Sequence, residues 1–343
     1  MRISEYSYQP SGMSASEWND LISASRQINL IQSWEYGEAK ALTGPWQVER
    51  GVISDNNQII GAAQTMVRRA PVGNGGMAWI NRGPLLLDHS AEPGVHYAAM
   101  LAALNAHFVE QKKLYLRLAP MIDVAGFDKR WASGAGLQNT GVSGWASSVV
   151  DLSQSAEALR KALHGKWRNG LVRAERSGIS VRSGFDEPSC AAFIEGHREH
   201  LRRLGGDGGI DENLLRTMQE LLPKSRKIYF HVAYMNDQPI GGIAIAKYGQ
   251  SGEYLAGHNS DAGRTNNAGQ LLLWSAMMQL RNEGVSYLDL GGMDEKLTPA
   301  GIYRFKQRVG GSSYRLANEF ESGSNSLINK LIRWQVARAR SKQ

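Results

Sequence analysis

Asn56-Asn-Gln-Ile-Ile-Gly61 and Asn236-Asp-Gln-Pro-Ile-Gly241 are two versions of one turn, and the chain around them decides the fold. Each sets Asn beside Asn or Asp between strand-like stretches, a strong short-range signal for a tight hairpin. In the first copy the flanking strands are expected over 46–52 and 59–67, and in the second over 228–234 and 240–247. A third strand follows each hairpin, over 77–80 and 253–256. An amphipathic helix comes next, over 97–111 and 268–283, and leads into a further strand over 114–118 and 287–290. The shared order is hairpin, strand, helix, strand. A helix between two strands implies a crossover and a mixed sheet covered by helices. Repetition this long predicts two related α/β domains, and a length of 343 residues sets the same prior of two.

Helices fill the interval between the copies. Ser155 is placed to cap one that runs to Leu163, a basic stretch over 166–176 forms a second, and 188–204 and 211–222 supply two more. The loop Gly205-Gly-Asp-Gly-Gly209 lacks the Lys and hydroxyl of a phosphate-binding loop and reads as a surface connector. The expected domains are therefore 1–150, a helical connecting section 151–225, and 226–343. A last amphipathic helix over 326–340 is expected to dock on the body through Leu327, Leu331, Trp334 and Val336. Lys330, Arg333, Arg338 and Arg340 make its other side basic.

An apolar fraction of 42% marks a folded protein, and a net charge of +7 favours partners that carry phosphate. The single cysteine, Cys190, excludes an intrachain disulfide and a thiolate-built metal site. It lies on an apolar helix face and reads as a buried, inert thiol. No charged-then-apolar leader opens the chain and no run approaches the roughly 20 apolar residues of a membrane span. A cytoplasmic protein without an integral membrane segment is expected.

Chemistry concentrates after the last repeat strand. Tyr287-Leu-Asp-Leu290 exits through Gly291-Gly-Met-Asp-Glu295, followed by Gly301-Ile-Tyr-Arg-Phe-Lys-Gln-Arg-Val-Gly-Gly311. Loops beyond the carboxyl end of a central strand commonly carry binding or chemistry. On spacing alone the tail has two readings. It is an anion contact, or it is a strand whose outer face is solvated by Arg304, Lys306 and Arg308 while Phe305 and Val309 pack inward.

Three motifs, in order, resemble the Fem family of non-ribosomal peptidyl transferases: Gln32-Ser-Trp-Glu-Tyr-Gly-Glu-Ala-Lys40, Lys166-Trp-Arg-Asn-Gly-Leu-Val-Arg-Ala-Glu-Arg-Ser-Gly178, and Tyr287-Leu-Asp-Leu-Gly-Gly292 with the tail. The resemblance spans about 34–320. It implies an α/β (α+β) fold of two tandem acetyltransferase-like domains and transfer of an amino acid from aminoacyl-tRNA to a peptidoglycan precursor. It places Lys40 on the acceptor's diphosphate, in a signature that also holds Trp34 and Tyr36. It places Phe305 and Lys306 where donor and acceptor meet, with Lys306 stabilising the developing negative charge. The long helical arm of some members has no room here, so the chain is closer to armless members that use a soluble nucleotide precursor.

The expected donor is aminoacyl-tRNA and the expected acceptor an anionic nucleotide-sugar peptide or a small amine; no cofactor and no metal are expected. An aminoacyl ester is already activated, so the protein mainly orients the substrates and stabilises an oxyanion. Asp289 and Asp294 are candidate proton acceptors, though Asp289 reads equally well as a loop cap or a partner of Arg304. Tyr303, Arg304, Arg308 and His258 are further candidate substrate contacts, and an ordinary loop histidine is an open reading of His258.

Two rival functions stay in view. One is transfer from a coenzyme A thioester, whose phosphate-binding pattern is broken at Arg264-Thr-Asn-Asn-Ala-Gly269 because Asn267 stands at the glycine position; the matching part of the first copy, Pro93-Gly-Val-His96, fits less well. The other is a non-catalytic protein that binds nucleotide sugars or RNA.

Overall fold

The computed structural model describes residues 6–25, 28–71, 75–88, 93–203, 205, 211–323 and 327–340. Of the loop predicted over 205–209, residues 206–209 lie outside them. Within the described residues the chain divides into two compact units, Met1–Trp145 with Arg315–Gln343, and Ala146–Tyr314.

The first unit opens with β1 (Tyr6–Pro10), α1 (Ala15–Ser23) and α2 (Trp34–Thr43), then the hairpin β2 (Gln47–Asp55) and β3 (Gln58–Arg69). Next come β4 (Gly76–Asn81), β5 (Leu85–Leu86), α3 (Pro93–Asn105), β6 (Tyr115–Ala119), α4 (Lys129–Gly134) and β7 (Gln138–Asn139). A π-helical stretch, Ala106–Gln111, prolongs α3. The second unit holds β8 (Ala146–Asp151), α5 (Ala156–Ala162), α6 (Gly165–Arg176), β9 (Ser180–Gly184), α7 (Glu187–Arg203) and α8 (Glu212–Leu221). Its hairpin is β10 (Tyr229–Met235) with β11 (Gln238–Tyr248), followed by β12 (Ser251–Asn259), α9 (Asp261–Thr265), α10 (Ala268–Asn282), β13 (Tyr287–Asp289), α11 (Ala300–Gln307) and β14 (Ser312–Arg315). The chain then returns to the first unit as β15 (Phe320–Ser322) and α12 (Leu327–Arg340).

The repeat holds element by element. Asn56 and Asn57, and again Asn236 and Asp237, all have positive φ, the backbone of the type I′ turn that matches the twist of paired strands. Both hairpins also slip register just before the turn, between Ile53 and Ser54 and between Ala233 and Tyr234. In each unit the hairpin's second strand pairs antiparallel with the strand that follows. That strand pairs in parallel with the one beyond the helix, β4 with β6 and β12 with β13. The first sheet runs β1-β2-β3-β4-β6-β15-β7, with β5 on β3, and the second β14-β8-β13-β12-β11-β10-β9.

The core of the first unit is built on Ile53, Ile60, Ile80, Tyr97, Met100, Leu104, Phe108 and Leu116. That of the second gathers Leu159, Trp167 and Leu171 from α5 and α6 with Leu272, Leu273, Met277 and Leu280 from α10 and Leu288 from β13. Cys190 is buried and free, and burial pushes its thiol up to about 11, the inert thiol its helix face implied.

The boundaries differ from the sequence expectation in two places. Residues 151–225 are no separate connector: β9 extends the second sheet by pairing with β10, and α6 packs on α10. Residues 315–343 belong to the first unit, because β15 inserts between β6 and β7. The tail is not the strand of the solvated reading either. Residues 300–307 form α11, so Lys306 lies on that helix's inner side and is 7% exposed.

Candidate active site

β13 is short and ends at Asp289, whereas its parallel partner β12 runs on to Asn259. The register sets Glu253 beside Asp289. The chain leaves the sheet here through Gly291 and Gly292 and comes back as α11, which turns Lys306 toward the strand exit. The Lys306 ammonium donates to the Gly292 carbonyl at 3.1 Å and stands 4.9 Å from the centre of the Tyr254 ring. Burial lowers its pKa to about 8, while the nearby Asp289 and Glu253 pull it back up. An ammonium so placed is a buried donor with a labile proton.

Asp289 is held from several sides. Its carboxylate accepts hydrogen bonds from the Tyr314 hydroxyl at 2.5 Å, the Gly291 N–H at 2.7 Å and the Ser147 hydroxyl. Ser147 also lies 2.7 Å from the Gly291 carbonyl, and one hydroxyl proton serves only one of these acceptors at a time. Burial, and next the negative charge of Glu253, hold the Asp289 pKa above its ordinary value. Glu253 itself accepts from the Tyr248 hydroxyl at 2.8 Å. Gly291 has φ +70, and a Cβ there would fall 2.5 Å from the Tyr254 carbonyl and 3.5 Å from the Lys306 ammonium, so the exit needs glycine.

Phe305 stacks obliquely on Trp167 of α6, ring centres 5.8 Å apart, and closes the apolar side. Tyr303 packs half-buried against the same core. Arg304 is exposed on α11, and Arg308 caps its end, its carbonyl accepting the His164 N–H at 3.0 Å. Asp289 is thus engaged by Ser147, Tyr314 and Gly291 rather than by Arg304. Asp294 caps the following turn, its carboxylate accepting the N–H groups of Lys296 and Leu297 at 2.8 and 3.0 Å.

His258 is not a loop residue. It lies within β12, on the sheet face covered by α7, with its ring 5.4 Å from Phe193 and 6.2 Å from His197. Burial, then the charges of His197 and His200, depress its pKa to about 3. It is a core histidine away from Lys306, which stands over Tyr254 on the other face.

The amino-terminal candidates fall in the first unit. Tyr36 and Lys40, one helical turn apart on α2, line a cavity of about 120 Å³ with Ile31, Trp46, Gln64, Met66, Trp79 and Asn81. Trp34 is not among the lining residues. Its ring carries the Arg50 guanidinium at 3.6 Å, and its carbonyl accepts from the same group at 2.9 Å. Gly37 makes that packing possible, since a Cβ would meet Gln64 Oε1 at 2.3 Å and Arg50 Nη2 at 2.7 Å.

Around Lys306 and Asp289, which the sequence analysis named, the structure gathers Glu253, Tyr254, Ser147 and Tyr314, which it did not. An acid inside an apolar strand run was the available signal for Glu253. The others carried none, since tyrosines and serines are common in strands.

Residues 13–142 match the model of the FemAB family, and residues 160–307 match that of the acetyltransferase (GNAT) domain. No curated protein matches the sequence. Among solved structures, FemX superposes with a TM-score of 0.79 at 16% identity, covering 94% of this chain and 99% of FemX. A tandem GNAT protein from the clavulanic acid biosynthesis pathway gives 0.57 at 12% identity, with 94% and 99% covered. A conserved protein of unknown function from Bacteroides thetaiotaomicron gives 0.60 at 10%, with 91% and 98% covered. The FemAB match thus falls in the first unit and the acetyltransferase (GNAT) match in the second, and the fold is that of two tandem acetyltransferase-like units.

Proposed function

We propose that the chain transfers an aminoacyl group from aminoacyl-tRNA to the amine of a peptidoglycan-related acceptor. The observation that carries this reading is the buried Lys306 ammonium at the open end of the β12–β13 pair. The acceptor nitrogen bonds to the carbonyl carbon of the ester, and the carbonyl oxygen gains negative charge. The Lys306 N–H donates to that oxygen, an interaction strongest when the charge is fully developed. The ester C–O bond then breaks, and the proton lost by the amine ends on the departing ribose oxygen. No activated cofactor is required.

Asp289 serves as a positioning residue in this scheme. Its carboxylate is already engaged by three donors, and it holds the Gly291–Gly292 exit against which Lys306 rests. The first-unit cavity, with the Lys40 ammonium for phosphate and Tyr36, Trp46 and Trp79 for an apolar body, suits an anionic ligand of its own. Arg304 is free of the strand exit and is assigned to the donor's phosphates. The reaction belongs in the cytoplasm, where charged tRNA is found.

One observation favours a thioester donor instead. Asn267, which breaks the phosphate-binding pattern, adopts φ +58 at the start of α10 and so supplies the backbone that glycine would. Purified protein incubated with charged tRNA and amine acceptors separates the two. RNase-sensitive incorporation of labelled amino acid is expected. Transfer from acetyl coenzyme A that survives RNase would replace this reading with the second.

A further inference from the structure

α12 lies on β4 and β6 of the first sheet. The sequence pattern suggested that Leu331 and Trp334 would hold it there, but the structure turns them outward. The inner side is made by buried Asn329 and half-buried Ile332 and Val336, and the Asn329 amide reaches the Lys113 carbonyl at 3.4 Å. Leu331 and Trp334, three residues apart, are each 54% exposed on the opposite side. Around them stand exposed Lys330 and Arg338, the Arg338 guanidinium 5.4 Å from the centre of the Trp334 indole. Arg333 turns back to Glu321. From Ser322 to Gln343 the sequence has Lys330, Arg333, Arg338, Arg340 and Lys342 and no acid.

We propose that this outer face of α12 docks the protein on an anionic lipid surface. A helix whose outer side combines large apolar groups with Lys and Arg is the arrangement that lies in the plane of a membrane interface. The indole buries its body at the level of the headgroups, and Lys330 and Arg338 lie over the negative charge. A nucleic acid would engage the cations but gain nothing from an exposed leucine. A second copy would bring like charges into contact, which opposes pairing through this face. α12 holds none of the residues assigned to transfer, so the proposal stands apart from the proposed reaction.

Full-length protein sedimented with vesicles of phosphatidylglycerol and phosphatidylcholine, and with phosphatidylcholine alone, is the test. Binding to the anionic vesicles alone is expected, weakening as salt rises. Leu331→Ser with Trp334→Ser, at exposed positions that leave the inner side intact, is expected to lower binding at least tenfold with unchanged circular dichroism. Lys330→Glu with Arg338→Glu is expected to do the same by charge. Absence of binding, equal binding to both vesicles, or binding indifferent to both double variants overturns the proposal. So does self-association, or retention of tRNA, that the Leu331/Trp334 variant abolishes while vesicle binding persists.

Discussion

Lys306 is a residue whose surroundings matter more than its type. A lysine on an exposed helix face would stay charged well above neutral pH, whereas burial brings this one to about 8. If transfer needs the ammonium, kcat falls as pH rises through about 8, because deprotonation removes the positive charge that stabilises the oxyanion. Lys306→Met is expected to lower kcat about 10²–10³-fold, the range for loss of one oxyanion donor, and to abolish that alkaline limb. Steady-state rates across pH, beside a melting curve, check both. Gly291→Ala is expected to reduce activity and stability together. Its φ of +70 disfavours a side chain, and the added Cβ meets the Tyr254 carbonyl. A variant with an unchanged rate would remove the strand exit from the site. Neither effect was legible from the sequence. It gave the lysine and the glycine pair, but burial and the partners of Asp289 arise from segments far apart in the chain.

At the scale of elements, local chemistry was a reliable guide wherever it acts within a few residues. Ser155 caps α5, its hydroxyl accepting the Ala158 N–H at 3.1 Å, as its place before an apolar-periodic stretch implied. Ser155→Ala is expected to cost about 1 kcal/mol, read from denaturant melts, with the fold retained. The paired Asn turns likewise specified both hairpins, because positive φ at two successive residues leaves few alternatives. The tail misled for a physical reason. Alternation of apolar and basic residues over a short run fits a strand as well as a helix, and only docking on the second unit's core selects α11. In α12 the apolar pattern put Leu331 and Trp334 against the body, whereas the helix meets the sheet through Asn329, Ile332 and Val336, a choice made by the surface it packs on and not by its own periodicity.

At the scale of the whole molecule, the return of the chain to its first unit is the feature with most consequence. β15 joins β6 to β7, so truncation after Tyr314 would strip a paired strand from the first sheet and expose the β6 edge. Loss of cooperative unfolding or aggregation of the truncated chain, followed by circular dichroism and light scattering, is the expected outcome. Acid acts on the second unit through buried His258 and His231, which burial depresses to about 3 and about 4. A histidine with a depressed folded pKa contributes stability that is fully present above its unfolded value of roughly 6.5 and is lost as pH falls toward the folded value. Thermal midpoints are therefore expected to drop between pH 7 and pH 4, less steeply in His258→Gln. The sequence by itself determined the tandem α/β architecture, its hairpins and the residues that look like chemistry, because periodicity, turn residues and caps act over short stretches of chain. Only the tertiary structure decided that the tail is a helix, that Lys306 is buried against Tyr254, that His258 is core, and that the last segment completes the first sheet. Each of those depends on which distant surfaces pack together, and that selection is made by burial across the fold.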